Sequence, residues 1–169
     1  MSYRNFEKAI DLIDVNKKFL KKIYPQKEET IMLAEKELGV KLPPSYREFL
    51  KKYGVLDFRT MDIYGIWKET FDGGCFDIVQ NTLENLREYN TFHHYIIIYN
   101  VDSFYCVLDT SEVNTDGECT VKGGYGLFLP DENIEIEEKY EDFGDFLLNY
   151  VQKQIKYSEE KEWLEEQQK

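Results

Sequence analysis

The side chains best suited to chemistry are few in this sequence, and each has a spacing that can be tested. The only histidines are adjacent, His93-His94. Neighbours on a strand point to opposite faces, so the pair cannot readily share one metal ion, and no third ligand stands beside it. Three cysteines, Cys75, Cys106 and Cys119, are far apart, and no CxxC spacing occurs. They read as small buried thiols in a reducing compartment. A nucleophilic pair of Cys75 or Cys106 with either histidine would need a fold to assemble it, and nothing local supports one. Glu112-Val113-Asn114-Thr115-Asp116-Gly117 begins like a calcium loop, with oxygen side chains at positions one, three and five and glycine at six. Position twelve must carry a bidentate acid. Here it is Gly123, so the segment reads as a polar hairpin turn. Gly123-Gly124-Tyr125-Gly126 lacks the Gly-Lys-Ser/Thr of a phosphate loop and reads as a bulge or turn. Carboxylate pairs for hydrolysis could be drawn from almost anywhere in so acidic a chain, which makes that signal uninformative.

What remains is charge with aromatics. The 169 residues carry 21 basic and 33 acidic side chains, a net −12. That argues against DNA, RNA or an anionic membrane as partner, since each needs a basic footprint. It favours a basic protein partner, or simply solubility. The acidic stretch Asp131 to Glu138, followed by Glu141-Asp142, is interrupted by Ile134 and Ile136 at strand spacing, which puts its acids outward. It reads either as a solvated rim or as a negative surface for a cationic partner. Tyr64, Trp67, Phe71 and Phe76 flank a glycine-rich turn and are either core or an aromatic anchor. The candidate partner-binding residues are Asp57, Asp62, Tyr64, Trp67 and Glu69, with Asp109, Asp116 and Glu118 from a central hairpin.

These residues must be positioned by a modest scaffold. The length suits one domain with a core that needs no disulfide or metal. With 42% hydrophobic and 15% aromatic residues, most of the chain folds. No apolar run approaches the about 20 residues of a membrane span, and the N-terminus lacks an apolar signal core. Cytoplasmic residence is the expectation.

Residues 4 to 23 place Phe6, Ile10, Ile13, Phe19, Leu20 and Ile23 at helical spacing, with a break at Asp14-Val15-Asn16. Glu28 to Leu38 is a second helix, with Ile31, Leu33, Ala34 and Leu38 inward and Gly39 as its left-handed cap. Pro43-Pro44 opens a third, striped by Tyr46, Phe49, Leu50 and Tyr53 and ended by Gly54. Val55 to Trp67 gives one or two short strands, and Asp72-Gly73-Gly74 a turn. Asp77 to Tyr89 is helical, with a start signal at Asn81-Thr82-Leu83-Glu84. Strands at Tyr95–Tyr99 and Phe104–Asp109 flank a connection at Asn100–Ser103. Thr115 to Glu118 turns into Cys119-Thr120-Val121, and Leu127-Phe128-Leu129 ends at Pro130. Phe143, Phe146, Leu147, Tyr150, Val151 and Ile155 mark a closing helix. The expectation is an α+β single domain over 1–157, its N-terminal helices and closing helix packed on a central antiparallel sheet. Residues 158–169 form a charged helical extension or frayed tail.

The segment Ile31 to Gly54 resembles the signature of the SUKH superfamily. It is carried by Ile31, Ala34-Glu35-Lys36-Glu37-Leu38-Gly39, Leu42-Pro43 with Ser45-Tyr46, and Phe49-Leu50 leading to Tyr53-Gly54. Val101 to Thr110 with Asp116-Gly117-Glu118-Cys119 is similar to the family's central strand pair, and Tyr140 to Tyr150 to its closing helix. The likeness covers residues 27 to 155 and is nearest to the YobK-type members of bacilli. Many members carry Trp just after the strand that here ends at Val121, where this chain has Lys122-Gly123-Gly124. The stretch from Leu127 to Glu138 and the tail after Ile155 also depart from the pattern. The resemblance implies an immunity protein with no cofactor, no metal and no catalysis of its own. Such a protein binds and neutralises a cognate bacterial toxin, often a nuclease. Fungal branches act as cell-wall regulators, so a scaffold that docks cellular partners is the alternative, and a carboxylate hydrolase is the third.

Overall fold

The computed structural model describes residues 2–89, 93–127 and 135–167. Five α-helices surround a four-stranded antiparallel sheet and a two-stranded ribbon, an α+β single domain. Helix α1 (Ser2–Val15) buries Phe6, Ala9 and Ile13, and stops where the sequence breaks at Asn16. The chain beyond the short 3-10 turn Lys17–Phe19 is extended, so Ile23 does not continue the helical stripe and is exposed.

Helix α2 (Glu28–Leu38) ends at Gly39, whose φ of 69° is the left-handed cap expected of glycine. Its buried face is Thr30, Ile31, Ala34, Glu35 and Leu38. Leu33, expected inward, lies off that face and is 50% exposed. Helix α3 (Pro44–Lys52) starts with proline in its first turn, where a missing amide costs nothing.

Strands β1 (Leu56–Phe58) and β2 (Met61–Ile63) pair as an antiparallel ribbon, with Asp57 opposite Asp62. Glycine is required where this ribbon meets the helices. A Cβ on Gly65 would stand 1.7 Å from the Gly54 carbonyl oxygen, and one on Gly54 1.9 Å from that of Tyr24. Helix α4 (Ile78–Tyr89) is capped by Asp77, whose Oδ1 accepts the Gln80 amide at 2.9 Å. It therefore starts one turn before the Asn81-Thr82 signal.

The main sheet has strand order β3 (Tyr95–Val101), β4 (Phe104–Val113), β5 (Cys119–Tyr125) and β6 (Glu135–Tyr140). β3 and β4 run longer than the sequence indicated. Their connection is only Asp102-Ser103, both at positive φ (49° and 69°), the twist-matched hairpin turn. Gly123 and Gly124 sit inside β5, where the register against β6 shifts, so the bulge reading holds. His93 and His94 lie in a turn before β3 rather than on a strand. The Tyr64 amide donates to Ile98 O at 2.8 Å and ties the ribbon to β3.

Helix α5 (Phe143–Gln167) packs against α1 and the sheet. Tyr46, Phe49, Leu50, Val107 and Phe146 are all fully buried in one cluster. The Phe143 ring meets Tyr46 at 4.8 Å and Phe49 at 5.1 Å. Cys106 and Cys119 are buried as expected, but Cys75 is exposed in the turn before α4. The strand end at Phe128–Pro130 and the front of the acidic stretch, Asp131 to Ile134, lie outside the described residues. Among the described residues, no helix is long and apolar enough to cross a membrane, and no three His, Cys, Asp or Glu side chains are placed to hold a metal.

Candidate partner-binding surface

The eight candidate residues divide by burial. Three face inward. Asp109 is 1% exposed, because its place in β4 aims it at Lys122 of β5. The Lys122 Nζ donates to Asp109 Oδ2 at 2.5 Å and to Glu112 Oε1 at 2.7 Å. Burial opposes ionisation of Asp109, but Lys122 and Ser111 outweigh it and hold its carboxyl below the usual range. Glu118 is 3% exposed. Its oxygens accept the Ser45 amide at 2.9 Å and the Ser45 hydroxyl at 2.6 Å. Burial raises its pKa, against the pull of those two bonds. Tyr64 is buried between the ribbon and Phe76, and its carbonyl accepts the Tyr46 hydroxyl at 2.6 Å. Burial pushes its phenol up to about 12. All three work inside the protein and are lost as surface contacts.

Five candidates remain open to solvent at least in part. Asp57 and Asp62 are cross-strand neighbours on the outer side of the ribbon, because Leu56, Phe58, Met61 and Ile63 take the inner side. Directly opposed like charges destabilise a strand pair. Lys21 relieves this in part: its Nζ is 3.0 Å from Asp57 Oδ1. Asp62 has its pKa raised, first by burial and then by the negative charge of Asp57.

Trp67 is 36% exposed; its ring lies 5.0 Å from the Tyr24 ring, and the Lys68 Nζ stands over it at 6.0 Å from the ring centroid. Lys21 and Tyr24 belong to one extended segment, pinned at Lys21 to Asp57 O (3.0 Å) and at Tyr24 to Tyr53 O (2.7 Å). That segment joins the Asp57–Asp62 pair and Trp67 into one surface, and Glu69 follows on the exposed loop. The sequence does not single out Lys21 or Tyr24, because an extended segment between helices carries no periodic signal.

Asp116 is exposed but elsewhere. It sits in the β4–β5 turn, whose Gly117 lies against Pro44 at the start of α3. The Lys21–Gln26 segment bonds to Leu50 and Tyr53 at the other end of that helix. Nine helical residues separate the two places by roughly 13 Å at 1.5 Å per residue.

The surface is a patch of Asp57, Asp62 and Glu69 beside the Trp67–Tyr24 ring pair, with Lys21 against Asp57 and Lys68 beside Trp67. In comparison with solved structures, the chain is similar to a protein from Pseudomonas syringae pv. tomato. The TM-score is 0.57 at 14% identity, over 80% of this chain and 92% of that one, which is a likeness of fold. A family model described as SMI1-KNR4 cell-wall, SUKH_5, matches residues 6–152. That span takes in most of α1, all of α2 to α4, both sheets, the first ten residues of α5 and every candidate residue, and the chain belongs to the SUKH_5 (SMI1-KNR4) family.

Proposed function

We propose that the protein is an immunity protein that neutralises a cognate bacterial toxin by stoichiometric occlusion, without catalysis of its own. Proteins of this family bind partner proteins and are often immunity proteins. The observation that carries the proposal is the opposed Asp57–Asp62 pair beside the exposed Trp67 and its tilted ring contact with Tyr24. Two carboxylates held against each other and only partly compensated by Lys21 gain from an incoming cation. An aromatic next to them supplies the apolar contact that slows dissociation. The partner of matching chemistry is basic, and the nucleic-acid groove of a nuclease is such a surface. The YobK-type branch is the part of the family where we place it.

Charge complementarity speeds encounter, toward about 10⁸–10⁹ M⁻¹s⁻¹ at low salt. The experiment is co-purification with the product of the adjacent gene, followed by stopped-flow kinetics at two salt concentrations. Neutralising Asp62 and Glu69 together lowers the on-rate and flattens its salt dependence, whereas Trp67→Ala mainly raises the off-rate. An on-rate indifferent to salt removes the electrostatic basis. Binding to cellular proteins with none to the adjacent gene product replaces the toxin with the scaffold role.

A further inference from the structure

Helix α2 leaves Leu33 outside the core, and the reason for that exposure lies across from it. Leu33, Phe71 and Leu83 line a groove of about 500 Å³ between α2, the loop after Trp67 and α4. Its charged lining is Glu37, Glu69 and Glu84, with Arg87 as the one cation, and Thr70 and Gln80 are its neutral polar residues. Among the described residues no ion pair reaches any of the three glutamates. Glu84 accepts one hydrogen bond, from Gln80 Nε2 at 2.9 Å. The Phe71 backbone is held at φ 53°, a region that bulky residues seldom enter, and its ring packs half-buried against the core. Next to Leu33, Met32 is also exposed.

We infer that this groove docks a basic, amphipathic segment of the partner protein, which seats one aliphatic or aromatic side chain on Leu33, Phe71 and Leu83 while flanking Lys or Arg residues pair with Glu37, Glu69 and Glu84. The inference rests on the reading of the chain as a partner-binding module and gives that partner's contact chemistry. An apolar floor alone would accept many occupants; the carboxylates select among them. A second copy of this chain would bring the same three glutamates and its own net −12 to the rim, so self-association is opposed. An acidic segment is opposed in the same way. A polycation without an apolar residue would satisfy the rim and leave the floor wet.

The test uses the full chain, labelled with ¹⁵N, and two synthetic helical peptides: one amphipathic, built of Leu and Lys, and one with each Leu replaced by Ser. The Leu–Lys peptide shifts amides around Leu33, Phe71 and Leu83, while the Ser–Lys peptide gives only weak, diffuse changes. Leu33→Glu and Glu69→Lys each weaken the Leu–Lys peptide about tenfold. Both positions are exposed, so circular dichroism and thermal midpoints stay near the parent, and Leu33→Ala serves as a milder second variant. Shifts scattered over the acidic surface at large, or affinities unmoved in all three variants, overturn the inference. A concentration-dependent dimer abolished by Leu33→Glu also overturns it, by assigning the groove to a second copy. If the adjacent gene product binds the parent and Leu33→Glu equally, the groove fails and the immunity function stands. If the peptide seats in the groove and no toxin binds, the reverse holds.

Discussion

Phe49 shows how far a single residue supports this fold. It is fully buried, and its ring lies 5.5 Å from Tyr46, 5.8 Å from Tyr53 and 5.1 Å from Phe143. Aromatic contacts along α3 and across to α5 therefore depend on one side chain. Phe49→Ala removes that area from the core and leaves a cavity that rigid neighbours cannot fill. The expected cost is about 3–5 kcal/mol, read as a lowered urea midpoint with an unchanged slope. A midpoint within error of the parent would mean that the core closes over the gap. Burial at the residue scale also explains the three candidates lost from the surface. Residue type fixes neither the face of β4 that Asp109 takes nor the inward turn of Tyr64 and Glu118, which lie just outside the strands.

At the scale of elements, the joint between α3 and the β4–β5 hairpin stands out. Pro43 occupies the N-cap of α3 and offers no side-chain acceptor. The Ser45 amide would be an orphan donor in a buried place. Glu118 supplies the acceptor from across the fold. Glu118→Ala is expected to cost about 0.5–2 kcal/mol, as for loss of a local cap, and Glu118→Gln less, since one carbonyl oxygen remains. Equal midpoints for parent and both variants would show that water replaces the carboxylate. Elements were largely legible in the sequence where the signal was local. The 3.6-residue stripe of α3, Gly39 after α2, the break at Asn16 and the closing aromatics of α5 all follow from neighbours within a few positions. The Glu118 cap and the inward turn of Asp109 do not. Each depends on a partner on a different element, and no spacing rule reaches that far. The candidate surface suffered most, since Lys21 and Tyr24 contribute through an extended segment.

For the whole molecule, pH acts through two opposed sets of carboxyls. Burial raises Asp62, Asp77, Glu118 and Asp142 above the ordinary range. For Glu35, burial is outweighed by Arg47, the Leu42 amide and Lys41, and its carboxyl is lowered along with Asp109. A raised acid binds its proton more tightly in the folded state. Acidification from neutral therefore adds stability until the unfolded value near about 4 is passed. A lowered acid contributes stability above that value, and the contribution is lost as pH falls through its folded pKa. Glu112, drawn down to about 2 by Lys122 and Lys139, belongs to the second set but is solvent-screened and adds little. The expected profile holds or rises from pH 7 toward about 5, then drops below about 4. Urea midpoints across that range at constant ionic strength check it, and a steady decline beginning at neutral pH would contradict it.

The Glu118–Ser45 contact spans 73 positions of chain. A ribosome delivers α3 well before the carboxylate that completes its first turn, so the helix leaves the tunnel with a proline at its cap and an unanswered amide behind it. Closing so long a loop must precede the reward. Until the hairpin arrives the Ser45 amide has only water to bond, so burial of the start of α3 is tied to the formation of the β4–β5 hairpin.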